Sequence, residues 1–179
     1  MGFARYNTHP NCRAVTSNVS STSGSRFLLN YLCVGLYKRA LAIYEKALGA
    51  EHPNVADTLN LLAVVYREQG KYAEAEPLFR RAIAIYEKAS GPEHPEIGRS
   101  LWGLAKLYKA REKYTEAEAL FKRALVIFDK KLSVDDPRLA TWLPDYADLL
   151  RKTNREEEAA KIDARVKEIR EKAKLKEQK

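Results

Sequence analysis

Histidines before prolines are the residues of this chain that come nearest to acid–base or metal chemistry. The chain has three histidines, and two of them, His52 and His94, precede a proline in equivalent segments. Asp136 takes the same place before Pro137. A place filled by histidine or aspartate at a helix start is typical of an N-cap, whose side chain accepts hydrogen bonds from free backbone N–H groups. We therefore interpret His52 and His94 as caps and not as a base or a metal ligand.

Carboxylates and thiols give no stronger sign of catalysis. Glu74 and Glu76, a pair that returns 42 residues later, are spaced two apart and so do not share a helical face. Cys12 and Cys33 are too few for a disulfide framework and lack a Cys-x-x-Cys arrangement, which indicates free thiols in a reducing compartment, the cytoplasm. No Gly-rich phosphate loop, G-x-S-x-G or H-E-x-x-H motif occurs. We predict a protein without catalytic residues, metal or cofactor.

An eleven-residue segment recurs at a fixed distance and organises the rest of the chain. LYKRALAIYEK begins at Leu36, LFRRAIAIYEK at Leu78 and LFKRALVIFDK at Leu120, with an offset of 42 residues both times. A period of this length predicts a solenoid built by stacking one supersecondary unit. Aromatic and small residues keep the same register, among them Tyr66 with Tyr108, Phe79 with Phe121, Ala75 with Ala117, and Ala82 with Ala124.

Apolar residues at three- and four-residue spacing predict that each unit is a pair of helices. Gly49, and Gly91 with Pro92, break the pattern between units, while Gly70 marks a tight turn within one. Recurrent alanines let the paired helices approach closely, and Phe79 is predicted to fill the space between successive units. The predicted helices cover about 26–48, 54–69, 72–89, 96–111, 114–131, 138–152 and 155–175.

Prolines 77 and 144 lie inside two of the predicted helices. A proline in a helix interior costs about 3 kcal/mol or more, because it removes a hydrogen bond and crowds the preceding turn. We expect each to lie near a first turn or at a kink.

The two ends differ from the middle. Residues 1–25 are rich in Ser, Thr and Asn, contain no Asp or Glu and show no apolar period, so we predict disorder; an organelle transit peptide is the alternative. One period after Phe121 stands Asp163, which predicts a polar capping helix at the carboxyl end. The predicted organisation is a half repeat at 26–49, repeats at 54–90 and 96–131, a capping repeat at 138–175 and a tail at 176–179.

The net charge of 32 − 24 = +8 favours acidic partners. Acids are interleaved with the bases, especially after residue 155, which argues against nucleic acid as the partner. No apolar run approaches the roughly 20 residues that span a bilayer, so we predict no membrane segment.

At these positions the chain resembles the tetratricopeptide repeat family. The resemblance covers about residues 30 to 172, and the 42-residue period is similar to the kinesin light chain type. The residues that match the family's pattern are Leu62, Ala63, Tyr66, Gly70, Tyr72, Ala75, Phe79 and Ala82. The resemblance implies an all-α, right-handed superhelical solenoid of antiparallel helix pairs, about three full repeats plus a half repeat. It also implies a concave groove that is lined by the first helix of each pair and binds peptides of other proteins.

The resemblance places thirteen residues on that groove, six cationic and three anionic, for a net charge of +3. In the kinesin light chain type, paired asparagines hold the ligand backbone; here only Asn60 remains, and Leu61, Trp102–Gly103 and Leu143–Pro144 replace the others. The groove positions are Asp57, Asn60, Val64, Arg67, Glu68, Arg99, Trp102, Lys106, Lys109, Thr141, Asp148, Arg151 and Lys152.

Trp102 is the predicted anchor for an acidic or aromatic peptide, because Arg99, Lys106 and Lys109 flank it on the same side. The alternative is that Trp102 packs against the neighbouring unit. The predicted peptide site comprises Asn60, Arg67, Arg99, Trp102, Lys106, Lys109 and Arg151.

The leading hypothesis is a non-enzymatic, cytoplasmic scaffold or adaptor that binds acidic or extended segments of other proteins in this groove. A second is a structural module that forms a homodimer through the incomplete first repeat. A third is a fragment of a larger multidomain signalling protein whose effector domain lies elsewhere.

Overall fold

A computed structural model describes residues 23–177, with side chains from 32 to 176. The predicted disorder of residues 1–22 and the last two residues of the predicted tail lie outside this range. Within it the chain forms seven α-helices and no strand, which confirms the predicted all-α repeat solenoid. The helices are α1 Ser23–Leu48, α2 Pro53–Glu68, α3 Tyr72–Ser90, α4 Pro95–Ala110, α5 Tyr114–Lys131, α6 Leu139–Lys152 and α7 Glu156–Glu177.

Helix α1 begins inside the segment predicted to be disordered. It starts at Ser23, three residues before the predicted boundary at 26. Serine is a favoured residue at helix starts, and a first turn needs no apolar period, so sequence periodicity could not locate this boundary.

Capping by the two histidines is confirmed. The Nδ1 atom of His52 accepts a hydrogen bond from the N–H of Asn54 at 3.1 Å, and that of His94 accepts one from Glu96 at 3.3 Å. The two histidine nitrogens satisfy backbone donors that a helix start leaves without partners. The Oδ1 atom of Asp136 accepts the N–H of Arg138 at 2.9 Å, but Arg138 lies one residue before α6, so this hydrogen bond belongs to the turn ahead of the helix.

Small residues set the distance between the helices, as the sequence predicts. Ala63, Ala75 and Ala82 have no exposed surface, and their counterparts one period later are equally buried. Two glycines on α4 allow a still closer approach by aromatic rings. A Cβ atom on Gly103 would lie 2.5 Å from Phe79 of the preceding pair, and one on Gly98 would lie 2.4 Å from Phe128.

The array curves towards its first helices. Backbones of successive first helices approach each other directly, α2 with α4 and α4 with α6, whereas no two second helices in the described part do so. The face formed by α2, α4 and α6 is therefore the concave one. We call it the inner face.

Ion pairs at the 42-residue period join successive second helices on the opposite side. An acid on one second helix pairs with an arginine on the next at 2.6–2.7 Å, three times along the array. The pairs are Glu45–Arg81, Glu87–Arg123 and Asp129–Arg165.

Prolines 77 and 144 are both accommodated inside helices, at the sixth residue of α3 and of α6. Pro144 has no N–H, so it leaves the carbonyl oxygen of Ala140 without its intrahelical donor. Arg170 of α7 supplies a replacement, because its Nη2 donates to that oxygen at 3.3 Å. A side chain of α7 thereby compensates for the proline.

Gly103 and Gly35 form a matched pair for testing the close approach. An alanine at position 103 would meet the buried Phe79 ring, whereas a Cβ atom at Gly35 of α1 meets nothing within 4 Å. We expect Gly103→Ala to lower the free energy of unfolding by about 1–3 kcal/mol through overpacking, despite the better helix propensity of alanine. Gly35→Ala should raise it by about 0.5–1 kcal/mol. Urea unfolding of both variants checks this, and a stabilised Gly103→Ala variant would contradict it.

Candidate protein-binding face

The inner face brings the predicted cationic residues together on three neighbouring helices. Arg67 lies on α2, three cations lie on α4, and Arg151 lies on α6. The face is polar because its residues recur at three- and four-residue steps on the side of each helix that turns away from the second helices. The cations of α4 are Arg99, Lys106 and Lys109.

Trp102 is buried, so the packing alternative applies and the prediction of a surface anchor needs correction. Its side chain is 3% exposed. Its ring meets Phe121 edge-on, with centroids 4.5 Å apart, and Phe128 at 6.0 Å. Its Nε1 donates a hydrogen bond to Oδ2 of Asp145 on α6 at 3.2 Å. Trp102 thus packs against the second helix of its own pair, and its one polar atom holds the first helix of the next pair.

Asn60 lies one period before Trp102 and is also buried, so it too is corrected from ligand contact to structural contact. Its Nδ2 donates to Oγ of Ser100 on α4 at 2.7 Å. The hydroxyl of Ser100 in turn donates to the carbonyl oxygen of Glu96 at 2.8 Å. Both residues at this repeat position therefore bridge to the following first helix.

The two lysines of α4 form a charged cluster with aspartates of α6. Lys106 Nζ lies 2.9 Å from Oδ2 of Asp145, and Lys109 Nζ lies 2.8 Å from Oδ2 of Asp148. Lys109 also donates to the backbone oxygen of Asp145 at 3.2 Å. The hydrogen bond from Lys109 to Asp148 holds the pKa of that carboxyl below its usual range. Lys106 is the more accessible lysine, with 35% of its side chain exposed.

Arg99 is held between acids at the amino-terminal end of the face. Its Nη2 donates to Oδ1 of Asp57 at 3.1 Å, and its Nε lies 2.5 Å from Oε2 of Glu96. Asp57 also accepts the hydroxyl of Tyr86 at 2.6 Å. Burial, followed by the hydrogen bond to Asp57, raises the pKa of the Tyr86 phenol, so it stays a neutral donor.

Arg67 and Arg151 differ in accessibility. The Arg67 side chain is largely buried, and this burial lowers its pKa; its nearest acid is Glu68, 3.6 Å away. Arg151 is exposed and pairs with Glu156 at 3.3 Å and with Asp163 of α7. Asp163 is therefore paired with a side chain of its own helical pair, formed by α6 and α7.

Asp145 is the residue of this face that the sequence analysis missed. The 42-residue offset aligns Leu61 and Gly103 with Asp145, so Pro144–Asp145, and not Leu143–Pro144, stands in the place of the paired asparagines. A strict count of the period would have found it. Adding Asp145 and Glu96 to the nine charged groove residues changes the net charge from 6 − 3 = +3 to 6 − 5 = +1.

Helix pairs repeated at this period, with first helices forming a concave face, define a repeat solenoid. A tetratricopeptide repeat family model matches residues 31–88, 66–130 and 96–172. These matches run through most of the sequence, and the chain belongs to the tetratricopeptide repeat family. Repeats of this family generally mediate protein–protein interactions.

Solved structures similar to this chain include kinesin light chain-type repeats. One is a candidate kinesin light chain of Podosopora anserina with nearly identical TPR-like repeats (25% identity, 90% of this chain, 83% of that chain, TM-score 0.60). A point variant of the same Podosopora anserina protein is a second (25%, 92%, 84%, TM-score 0.63). BtubC (BKLC) from P. vanneervenii shares the fold (18%, 92%, 71%, TM-score 0.68). These neighbours agree with the kinesin light chain-like resemblance seen in the sequence. A search of curated proteins finds no match.

None of the helices in residues 23–177 has the length and apolar character needed to cross a membrane. The same residues contain no group of three or more His, Cys, Asp or Glu side chains placed to hold a metal ion.

Trp102 is expected to contribute strongly to stability. Truncation to alanine removes its contacts with Phe121 and Phe128 and should lower the free energy of unfolding by about 3–5 kcal/mol. Trp102→Phe, which keeps an aromatic ring against α5 and loses the Nε1 donor, should be less destabilising. Urea unfolding followed by far-UV circular dichroism measures both, and near-wild-type stability of Trp102→Ala would return this residue to the surface role.

Acid should weaken the contact between Lys109 and Asp148. Since the folded pKa of Asp148 lies below its unfolded value of about 3.9, its contribution to stability is full above that pH and is lost as the pH falls through the folded pKa. We expect wild type to exceed Asp148→Asn in unfolding free energy at pH 7 and the difference to shrink towards pH 3. Urea unfolding at both pH values measures it; a pH-independent difference would contradict the assignment.

Proposed function

We propose that this chain is a non-enzymatic scaffold or adaptor that binds an extended, acidic segment of another protein across its inner face. The observation that carries the proposal is the placement of five cationic side chains on the concave side of a tetratricopeptide repeat array. Membership of an interaction family supports protein as the ligand class. The +8 net charge of the chain supports an acidic one.

The proposed ligand contacts are the accessible cations, with Lys106 at the centre and Arg99 and Arg151 on either side. Arg67 and Lys109 are less exposed than these three residues, and they add positive electrostatic potential to the inner face. Asn60 and Trp102 support the face from within, as positioning residues. We also propose a cytoplasmic location, supported by the small number of cysteines.

Asp145 gives the proposal a specific mechanism. It pairs with Lys106 at 2.9 Å in the free protein, so an acidic ligand competes with this carboxylate for the lysine. Ligand carboxylates that replace Asp145 would regain the charge-assisted hydrogen bonds and add backbone contacts along the groove. This competition predicts moderate affinity and strong dependence on salt.

The decisive experiment compares labelled decapeptides rich in glutamate or in lysine by fluorescence anisotropy. We expect the acidic peptide to bind, Lys106→Ala to weaken binding about three- to tenfold, and about 0.5 M salt to weaken it further. Asp145→Asn should strengthen it, because the competing carboxylate is removed.

The matched control is Lys122→Ala, which removes an exposed lysine from α5, a second helix. It should leave binding unchanged. Equal binding of the basic peptide, or equal loss with Lys122→Ala, would rule out the inner face as an acidic-segment site.

Self-association through the incomplete first repeat is the alternative function. Helix α1 has exposed apolar residues on the side where a first helix would pack. If the chain self-associates through this side, its mass in solution should rise with protein concentration. If it binds only a partner segment on the inner face, its mass should stay that of a monomer.

A further inference from the structure

We propose that the exposed side of α1 docks an amphipathic helix of another protein, and that an acidic residue stands just before that helix. The docked helix would take the position of a first helix, which no residue in the described range 23–177 supplies to α1. We call this side of α1 the open face. It comprises Leu32, Leu36, Arg39, Ile43 and Lys46, which follow one another at steps of three and four residues.

The repeat register shows that the open face is built for burial. Ile43 is 62% exposed. Its counterparts Ile85, Ile127 and Ile169 are 2%, 4% and 2% exposed, because the first helix of their own pair covers them. The same isoleucine therefore stands in a buried position in three pairs and in an open one in the first.

Leu32 extends the apolar surface beyond what the other pairs show. It is 64% exposed, and glutamates occupy its counterpart positions in α3, α5 and α7. Where those helices meet water, α1 carries a leucine. Leu36, also exposed, lies one turn along the same face. A contiguous apolar patch of this kind marks an interaction surface.

Charge specifies the partner. In each complete pair, an acid two residues before the first-helix proline binds a lysine near the end of the second helix. The three pairs are Glu51–Lys88 at 2.9 Å, Glu93–Lys130 at 2.6 Å and Asp135–Lys172 at 2.9 Å.

Lys46 occupies this lysine position in α1 and has no ion pair with a described residue. Arg39 occupies the position of Arg81, Arg123 and Arg165, which pair with acids of the preceding second helix, and it also has no ion pair with a described residue. An acid ahead of the docked helix would complete the Lys46 pair in the manner of the other repeats.

The amino-acid types of residues 1–22 match those of a first helix poorly. In the repeat register, residues 9, 17 and 20 are His, Ser and Ser, where the first pair has Glu51, Leu59 and Leu62. A second copy of α1 is disfavoured as well, because it would bring its own Arg39 and Lys46 against the same cations, while the acid Glu45 is engaged by Arg81 at 2.7 Å. A partner helix with acidic flanks fits the face better than either.

The α2 sequence provides the probe, because it already packs as a first helix and is preceded by Glu51. The full chain is titrated into a fluorescent peptide of residues 50–69, and the fluorescence anisotropy of the peptide measures binding. We expect saturable one-to-one binding, weakened at least about tenfold by Ile43→Glu. Val126→Glu, which changes an exposed apolar residue of α5 outside the open face, should bind as wild type does.

Charge exchange tests the acid. Lys46→Glu should weaken binding about two- to fivefold, as expected for an exposed ion pair, and a peptide carrying Glu51→Lys should recover that loss with the Lys46→Glu protein only. Circular dichroism confirms that each variant is folded, and Leu36→Glu serves as a second disrupting variant.

Several results would overturn the proposal. Absence of saturable binding would mean that the face is no docking site or is covered by its own chain. Equal losses with Ile43→Glu and Val126→Glu would place the peptide elsewhere. A concentration-dependent dimer in sedimentation equilibrium that Ile43→Glu abolishes would assign the face to a second copy.

Discussion

The close contact between an aromatic ring and a helix backbone is the constraint on which this array depends. Phe79 and Phe128 press on α4 at places where the chain has glycine, and a single added carbon would lie within 2.5 Å of either ring. Interiors packed at this density transmit the position of one helix to the next. The contact between Gly103 and Phe79 sets the spacing of successive pairs, whereas the contact between Gly98 and Phe128 and the fully buried alanines set the spacing of the two helices within a pair.

Polar contacts then fix orientation at each seam. Asn60 reaches Ser100 and Trp102 reaches Asp145, so one repeat position serves as a bridge in two successive pairs with different chemistry. The buried donors find partners at 2.7 and 3.2 Å, which avoids the cost of leaving them unsatisfied. Because Asp145 also binds Lys106, the contact that holds α6 in place sets the charge that a ligand meets. Stability and recognition share this aspartate.

Much of the architecture could be predicted from the sequence, and particular residues show why. The 42-residue period and the small and aromatic positions indicate stacked helix pairs, and the exchange of His52 and His94 for Asp136 indicates caps. The burial of Trp102 could not be predicted. The helical period assigns a residue to one side of a helix, but it does not show whether the side chain faces solvent or packs against a neighbouring helix. For Gly103 the sequence indicates only that it replaces an asparagine of the kinesin light chain type. The packing reason for this glycine could not be predicted, because the Phe79 ring that it accommodates belongs to another repeat.

The array is also asymmetric, and this asymmetry follows from side chains at equivalent positions. At the carboxyl end, the position of Phe79 and Phe121 is taken by Asp163, which pairs with Arg151 in the same helical pair and turns a charged surface outwards. At the amino end, Cys33 of α1 is buried and Leu41 packs against the hydrophobic core, whereas Ile43 is exposed to solvent. The ion pair between an acid before the first helix and a lysine of the second helix is present in each of the three complete pairs, whereas among the described residues Lys46 of α1 has no such acid. The two ends of the described array therefore differ: α7 carries a charged residue where α3 and α5 carry phenylalanine, whereas α1 has an apolar stripe and cations in the geometry that the other pairs already use.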